Sequence, residues 1–256
     1  MELQGKAAVV TGSSRGAGAA TALAIAKQGC HVLINYSSSE AAASEMVQQV
    51  EALGVKSLAF QADVAEDSEC RAMIDAAYDA FGRLDILVNN AGTTEFIAHG
   101  NLEGATDEIW DRILGVNLKG PFHCIRAAEK HLRDSGDACI VNIASVAGVA
   151  ALGSSVPYCA SKAALINLGV SMARALGPEI RVNTVSPGFI EGEWLKAGFG
   201  DRYDGIKANN EKKAVLNKVC NPDDVADAVL AFITGSNLVT GQNVVCDGGM
   251  LIGPRL

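Results

Sequence analysis

The strongest constraint on this chain is an alternation of short apolar runs with stretches long enough to be helices. The runs are Ala7-Ala8-Val9-Val10, His31-Val32-Leu33-Ile34-Asn35, Ser57-Leu58-Ala59-Phe60, Asp85-Ile86-Leu87-Val88-Asn89, Cys139-Ile140-Val141-Asn142-Ile143-Ala144, Arg181-Val182-Asn183-Thr184-Val185 and Asn243-Val244-Val245-Cys246. Helical stretches are expected over residues 19–28, 41–53, 68–81, 107–133, 158–176 and 222–233. Short β-branched runs separated by helices form βαβ units, whose strands lie parallel in one sheet. The runs do not alternate apolar with polar residues, as expected for strands covered on both faces. The predicted fold is α/β: seven parallel strands, doubly wound, as a single domain over residues 1–256 with no linker, repeat or low-complexity stretch.

Composition agrees with a large core. With 256 residues and 49% apolar content, roughly 70–75% of the chain's surface is expected to be buried. A net charge of −8 argues against a nucleic-acid or anionic-membrane surface, which needs dense Lys and Arg. No apolar run approaches the roughly 18 residues of a membrane span. The start, Met1-Glu2-Leu3-Gln4-Gly5, shows no basic region leading into an apolar stretch, so no secretory leader is expected. Seven scattered cysteines suggest reduced thiols, and with them a cytoplasmic location. Residues 189–219 break the alternation with glycines at 192, 198, 200 and 205, the aromatics Trp194, Phe199 and Tyr203, and mixed charge. Long irregular segments in compact folds are often functional, and this one begins at the carboxyl end of a strand, where doubly wound sheets bind ligands. It is expected to be a substrate lid, its aromatics touching substrate or packing within the segment.

The first strand runs into Thr11-Gly12-Ser13-Ser14-Arg15-Gly16-Ala17-Gly18 and then a helix. Glycines here permit a tight turn and leave amide N–H groups at a helix N-terminus facing a pyrophosphate. The spacing is neither the G-x-G-x-x-G fingerprint nor a P-loop, and a turn made only for packing is the alternative. After the second strand stand Asn35, Tyr36, Ser37 and Ser38, with no carboxylate to accept a ribose 2′-hydroxyl or repel a 2′-phosphate. Arg15 lies in the glycine turn near that place. NADP(H) is therefore favoured, with NAD(H) as the alternative.

Ser145 follows the fifth run, at the carboxyl edge of the sheet, and Tyr158 and Lys162 stand four apart on a helix. That spacing places both side chains on one face. A phenol near pKa 10 is a poor acid–base group at neutral pH, and a neighbouring ammonium would lower that value. A serine hydroxyl within reach could hold a substrate oxygen while the phenol moves its proton. On spacing alone, such a Tyr-x-x-x-Lys pair is more often a structural contact than a catalytic one.

Taken together, these residues resemble the short-chain dehydrogenase/reductase family over essentially the whole chain. The resemblance rests on Thr11-Gly12-x-x-x-Gly16-x-Gly18, Asp63-Val64, Asn89-Asn90-Ala91-Gly92, Asn117, Ser145, Tyr158-Cys159-Ala160-Ser161-Lys162 and Pro187-Gly188. Within the family the chain is most similar to the NADP-dependent 3-oxoacyl-carrier-protein reductases, through Ser13-Ser14-Arg15, Asn35-Tyr36, Thr240-Gly241-Gln242 and Asp247-Gly248-Gly249. The resemblance implies a Rossmann-type fold and the interconversion of a ketone, in a 3-oxoacyl thioester or another small carbonyl compound, with its secondary alcohol.

The same resemblance assigns roles. Tyr158 would be the general acid or base, Lys162 would lower its pKa and bind the nicotinamide ribose, and Ser145 would polarise the carbonyl. Asn117 would hold a water linking Lys162 to solvent. Gly12, Ser14, Arg15, Gly16 and Gly18 would cradle the adenosine and pyrophosphate, Asp63 and Val64 would flank the adenine, and Asn90, Ala91 and Gly92 would lie along the ribose. Pro187, Gly188 and Ile190 would also contact the cofactor. The family transfers the pro-S hydride and usually assembles as a homotetramer, which would place Met250–Leu256 near a subunit interface. One departure stands out: Gly192 occupies a place where similar enzymes often carry a threonine or serine.

Other features read as structural. Cys159 is expected to pack away from the catalytic face, Trp110 to lie in the core, and Asp223-Asp224 to begin a helix. Arg126, Lys130 and Arg133 form a basic stripe expected to be solvated. His31, His99, His123 and His131 show no metal-ligand spacing, and no metal site is expected.

Overall fold

A computed structural model describes residues 1–253 of the chain. Its sheet contains β1 (Ala7–Val10), β2 (His31–Tyr36), β3 (Ser57–Gln61), β4 (Ile86–Asn89), β5 (Ala138–Ile143), β6 (Ile180–Pro187) and β7 (Asn243–Cys246). All pairings are parallel, and the strand order is β3-β2-β1-β4-β5-β6-β7. Residue Val9 of β1 stands between Leu33 of β2 and Leu87 of β4. The chain order reverses direction at β1, so a crevice opens there at the carboxyl edge of the sheet.

Neighbouring side chains on a strand point to opposite faces, and both faces here are apolar. On one face Ala8, Val10, Val32, Ile34, Ile86, Val88 and Val141 pack against α1 (Gly16–Ala26), α2 (Glu40–Glu51) and α10 (Pro222–Thr234). On the other, Val9, Leu33, Leu87, Ile140 and Val182 meet α3 (Asp67–Phe81), α5 (Gly120–Ser135) and the end of α7 (Val156–Leu176). The result is three layers, helix–sheet–helix, as expected. The start of α10 also follows expectation: Asn221 and Asp224 form a reciprocal capping box, with Pro222 in the first turn.

One buried charge helps set the β1–β4 register. Asp85, immediately before β4, is inaccessible and accepts from the Ala7 N–H, while Lys6 and Arg83 pair with it. Burial pushes its pKa up, but the Arg83, Ala7 and Lys6 hydrogen bonds prevail and hold it below the usual carboxylate value.

Several boundaries depart from the sequence reading. The stretch expected as one helix over 107–133 is α4 (Asp107–Leu114), a π-helical turn (Gly115–Lys119) and α5. Gly120 sits so close to Val64 that an added Cβ would fall 2.7 Å from its Cγ2. Residues 189–219 are not irregular throughout: they hold α8 (Glu193–Phe199), one 3₁₀ turn and α9 (Tyr203–Lys213). A further short helix, α6 (Val146–Ala150), follows β5. Trp110 is only partly buried, because α4 turns Ile113 inward instead. The basic stripe is ion-paired: Arg126 with Asp67, Lys130 with Asp134, and Arg133 with Glu129 and Glu179. Of the tail discussed as an interface element, residues 254–256 lie outside the described residues. Among the described residues, no helix is long and apolar enough to cross a membrane.

Candidate active site

The crevice is walled by the turn between β1 and α1. Thr11 Oγ1 accepts from the main-chain N–H groups of Asn90 (2.9 Å) and Ala91 (3.0 Å), tying the turn to the end of β4. Asn90 Nδ2 donates back to the carbonyls of Thr11 (2.9 Å) and Gly12 (3.0 Å). Gly12 has φ +60°, and a Cβ there would stand 3.0 Å from Ala91 Cα. A Cβ on Gly18 would collide with the Asn90 amide and the Gly12 carbonyl, so α1 approaches the turn as closely as backbone allows.

Asn35 is placed differently from a residue that reaches outward. It is buried, its Oδ1 accepts from Gly12 N–H (2.9 Å), and its Nδ2 donates to Ala62 O (3.1 Å). Its side chain shapes the glycine turn from behind. Tyr36 is half-buried, whereas Ser37 and Ser38 are exposed at the end of β2. Arg15 is exposed and donates from Nη2 to Ser39 Oγ at 2.6 Å, so its guanidinium is drawn to the loop after β2. Ser14 lies between, half-buried. A neighbouring cavity of about 470 Å³ is lined by Ser37, Gln61, Asp63 and Glu69. Val64 is buried beside it.

These residues fit a dinucleotide. The N-terminus of α1 has no side-chain cap, and its glycines leave room where a pyrophosphate would meet the backbone N–H groups.

Across the crevice lie Ser145, Tyr158 and Lys162. Ser145 caps α6, its Oγ accepting from Ala147 N–H at 3.1 Å, and its hydroxyl lies near enough to the Tyr158 phenol to favour the phenolate. Ser155 caps α7, with its Oγ accepting from Tyr158 N–H at 3.4 Å. One helical turn on, Lys162 Nζ donates to Ile143 O at 2.8 Å and stands 5.8 Å from the centre of the Tyr158 ring. Gly92 closes this group: a Cβ there would lie 3.5 Å from both Asn117 Oδ1 and Lys162 Nζ.

The protonation states differ from the sequence expectation. Burial pushes the Tyr158 pKa up to about 12, against the opposing Ser145 hydrogen bond. Burial pushes Lys162 down to about 8. Desolvation is the largest influence on both groups and outweighs what a nearby ammonium contributes to the phenolate. At neutral pH the pair therefore rests as phenol and mostly ammonium.

Asn117 lies within the π-helical turn, and its amide is occupied. Oδ1 accepts from Thr93 N–H (2.8 Å), and Nδ2 donates to Thr93 O (2.9 Å) and Ser161 Oγ (3.0 Å). Ser161 Oγ in turn donates to Tyr158 O at 2.8 Å. Ser161 stands in the sequence only as part of the Tyr-x-x-x-Lys motif; its place three residues after Tyr158 is the signal that it shares the catalytic face.

Pro187 ends β6, and Gly188 N–H donates to Cys246 O at 2.8 Å. Ile190 pairs with Cys220. Gly192 adopts φ +148°, and its N–H donates to the Tyr203 hydroxyl at 3.2 Å. Tyr203 of α9, not a side chain at 192, thus secures this segment. Lys207 adds an ion pair to Glu191. Tyr203 is buried and Phe199 partly so, both against Phe189, while Trp194 is exposed. Cys159 is buried and packs structurally, but not away from the tyrosine: its Sγ, Ala147 Cβ and the edge of the Tyr158 ring all crowd the same side of Gly153.

Fold and site together define a nucleotide-binding oxidoreductase. A family profile described as Enoyl-(Acyl carrier protein) reductase matches residues 12–251. The chain is 40% identical to an uncharacterized oxidoreductase of Methylorubrum extorquens, over 97% of this chain and 99% of that one. It is 37% identical to the 3-oxoacyl-acyl-carrier-protein reductase FabG of Staphylococcus aureus, over 96% and 98% of the two chains. A crystal structure from Burkholderia xenovorans, provisionally assigned to the short-chain dehydrogenases/reductases, superposes with TM-score 0.90 at 35% identity, covering 97% and 98%. A xylitol dehydrogenase solved with NAD⁺ gives TM-score 0.88 at 27% identity, covering 97% of this chain and 100% of that one. The chain belongs to the short-chain dehydrogenase/reductase family, in its 3-oxoacyl-acyl-carrier-protein reductase-like group.

Proposed function

We propose that the chain reversibly reduces a ketone to a secondary alcohol with NADPH, and that a 3-oxoacyl thioester is its leading substrate class. The observation that carries this reading is the convergence of Ser145, Tyr158 and Lys162 at the carboxyl edge of the sheet, opposite the glycine turn. When bound, the reduced nicotinamide supplies the hydride; the protein supplies position and proton. Ser145 donates a hydrogen bond to the carbonyl oxygen, and Tyr158, resting as the phenol, gives that oxygen its proton. Lys162 stabilises the phenolate left behind. The Asn117 amide is spent on Thr93 and Ser161, so it holds the loop after β4 against α7. A water relay to Lys162 would have to use the Asn117 main-chain carbonyl instead. Residues 189–219 act as the lid, and the working form is a homotetramer in the cytoplasm.

Because burial holds the Tyr158 pKa up to about 12, the two directions respond differently to pH. Alcohol oxidation needs the phenolate, whose fraction rises about tenfold per pH unit below the pKa. Initial rates between neutral and mildly alkaline pH should rise steeply for oxidation and not for reduction. A flat oxidation profile would remove Tyr158 as the base.

The Arg15–Ser39 contact supports NADP(H), since it places a guanidinium beside the end of β2. NAD-linked alcohol oxidation is the second reading, favoured by the carboxylates of Asp63 and Glu69 in the cavity that Ser37 lines. Fluorescence titration with NADPH and NADH separates them. Arg15→Ala should weaken NADPH binding by about ten- to a hundredfold, the loss of one or two charge-assisted hydrogen bonds, and leave NADH nearly unchanged. Equal losses for both cofactors would favour the second reading.

A further inference from the structure

The lid touches the catalytic wall through an aromatic contact that none of the proposed roles uses. Phe96, in the loop that follows β4, meets Phe199 at the end of α8 edge to face, with ring centres 5.1 Å apart. Phe199 stacks in turn on Phe189, just beyond β6 (6.3 Å). Gly198 lies against the Phe96 ring so closely that an added Cβ would collide with it. The Phe96 loop is also pinned on its other side. Thr94 Oγ1 and Ser154 Oγ are 2.5 Å apart, Ile97 N–H donates to Ser154 O (2.9 Å), and His99 Nε2 lies 3.1 Å from Gly153 O. Residue Ser155, next in the chain, is the cap that holds Tyr158 N–H. A continuous set of contacts therefore runs from the lid through Phe96 to the start of the helix that carries the tyrosine.

We propose that Phe96 is a positioning residue that docks the lid on the catalytic wall, and that the Phe96–Gly198–Phe199 contact limits the length of apolar chain the carbonyl site accepts. At this ring the loop after β4 and α8 interlock, and a glycine faces it because nothing larger fits. With the ring in place, the segment from Gly192 to Phe199 is held at both ends: by the Tyr203 hydroxyl at Gly192 and by Phe96 at Gly198 and Phe199. A longer acyl or alkyl chain has to displace this contact; a short one does not. The docking statement stands on the geometry alone, while the size limit rests on the ketone-reductase reading.

Amide hydrogen exchange of the lid tests docking without requiring turnover. Phe96→Ala and Gly198→Ala should each speed exchange across 193–213 about tenfold, the first by removing the contact and the second by wedging it open. Added to Phe96→Ala, the Gly198 substitution should have little further effect, because the space it needs has been vacated. Phe96→Leu should fall between wild type and Phe96→Ala, and exchange in β4 and β5 should stay unchanged, reporting an intact fold. Unchanged lid exchange in Phe96→Ala, or an undiminished Gly198→Ala effect in that background, would overturn the proposal. For the size limit, kcat/KM with NADPH is compared for 3-oxobutanoyl and 3-oxododecanoyl N-acetylcysteamine thioesters. Phe96→Ala should shift the ratio about tenfold towards the long chain, with NADPH affinity unaltered. An unchanged ratio overturns the size limit. If wild type turns over neither thioester nor any other ketone, the reductase reading fails and the size limit with it, while the exchange result still decides docking.

Discussion

Tyr158→Phe is expected to lower kcat for ketone reduction by about a hundred- to ten-thousandfold, the range for losing a positioned general acid, with NADPH affinity changing little. The ring packs as before and only the hydroxyl is lost, along with its interaction with the Ser145 hydroxyl. The phenol is the proton donor in the resting state because burial keeps its pKa up near 12. Ser145 cannot replace it: a serine hydroxyl holds an oxygen but has no means of delivering a proton at neutral pH. Steady-state rates and nicotinamide fluorescence, measured on the same preparation, separate loss of chemistry from loss of binding. A variant that kept most of its rate would place the acid elsewhere.

Lys162→Met should have a second large effect, and its sign is opposite for activity and stability. Turnover should fall at least a hundredfold, since the variant loses the positive charge beside the phenolate. The cofactor-free protein, however, should become more stable at neutral pH. Lys162 is 3% exposed, and burial lowers its pKa to about 8 from an ordinary 10.5. The unfolded chain therefore binds the proton more tightly, and folding opposes the charge at every pH below about 8. Removing it should stabilise by something on the order of 1–3 kcal/mol, after allowing for the lost bond to Ile143 O, and raise Tm by several degrees. That advantage should shrink as pH rises from about 8 towards 10.5, where wild type sheds the proton in both states. Thermal unfolding of both proteins across that interval checks the sign. A variant less stable than wild type at pH 7 would mean that the Ile143 bond outweighs the desolvation.

Such a trade of stability for chemistry explains why the site was legible in the chain. Tyr158, Lys162 and Ser145 are residue types that a core does not want, set at strand and helix ends where the fold had already been read. The five inner strands were legible for a related reason: strands buried on both faces leave runs such as Ile86-Leu87-Val88 with no polar interruption, whereas the edge strands β3 and β7 are partly exposed. What escaped the sequence has no such local signature. The π-helical turn at Gly115–Lys119 shares an apolar pattern with the helices on either side, so 107–133 looks continuous. Residues Tyr203–Lys213 are polar almost all round and bury only Tyr203, so no helical stripe marks α9. Asn35 looked like a cofactor contact because of where it stands in the chain, yet its amide turns inward to brace Gly12. Phe96 and the Gly192–Tyr203 bond depend on contacts between distant segments, which spacing along the chain does not encode.

The central claim is that this site moves a hydride to a carbonyl carbon while Tyr158 protonates the oxygen. The most direct measurement supplies NADPH carrying deuterium at the pro-S position together with 3-oxobutanoyl N-acetylcysteamine thioester, and analyses the product by mass spectrometry. The account predicts a 3-hydroxy product one mass unit heavier, labelled at the carbinol carbon, formed by wild type and scarcely at all by Tyr158→Phe. Unlabelled alcohol, or labelled alcohol formed equally fast by the variant, would contradict it.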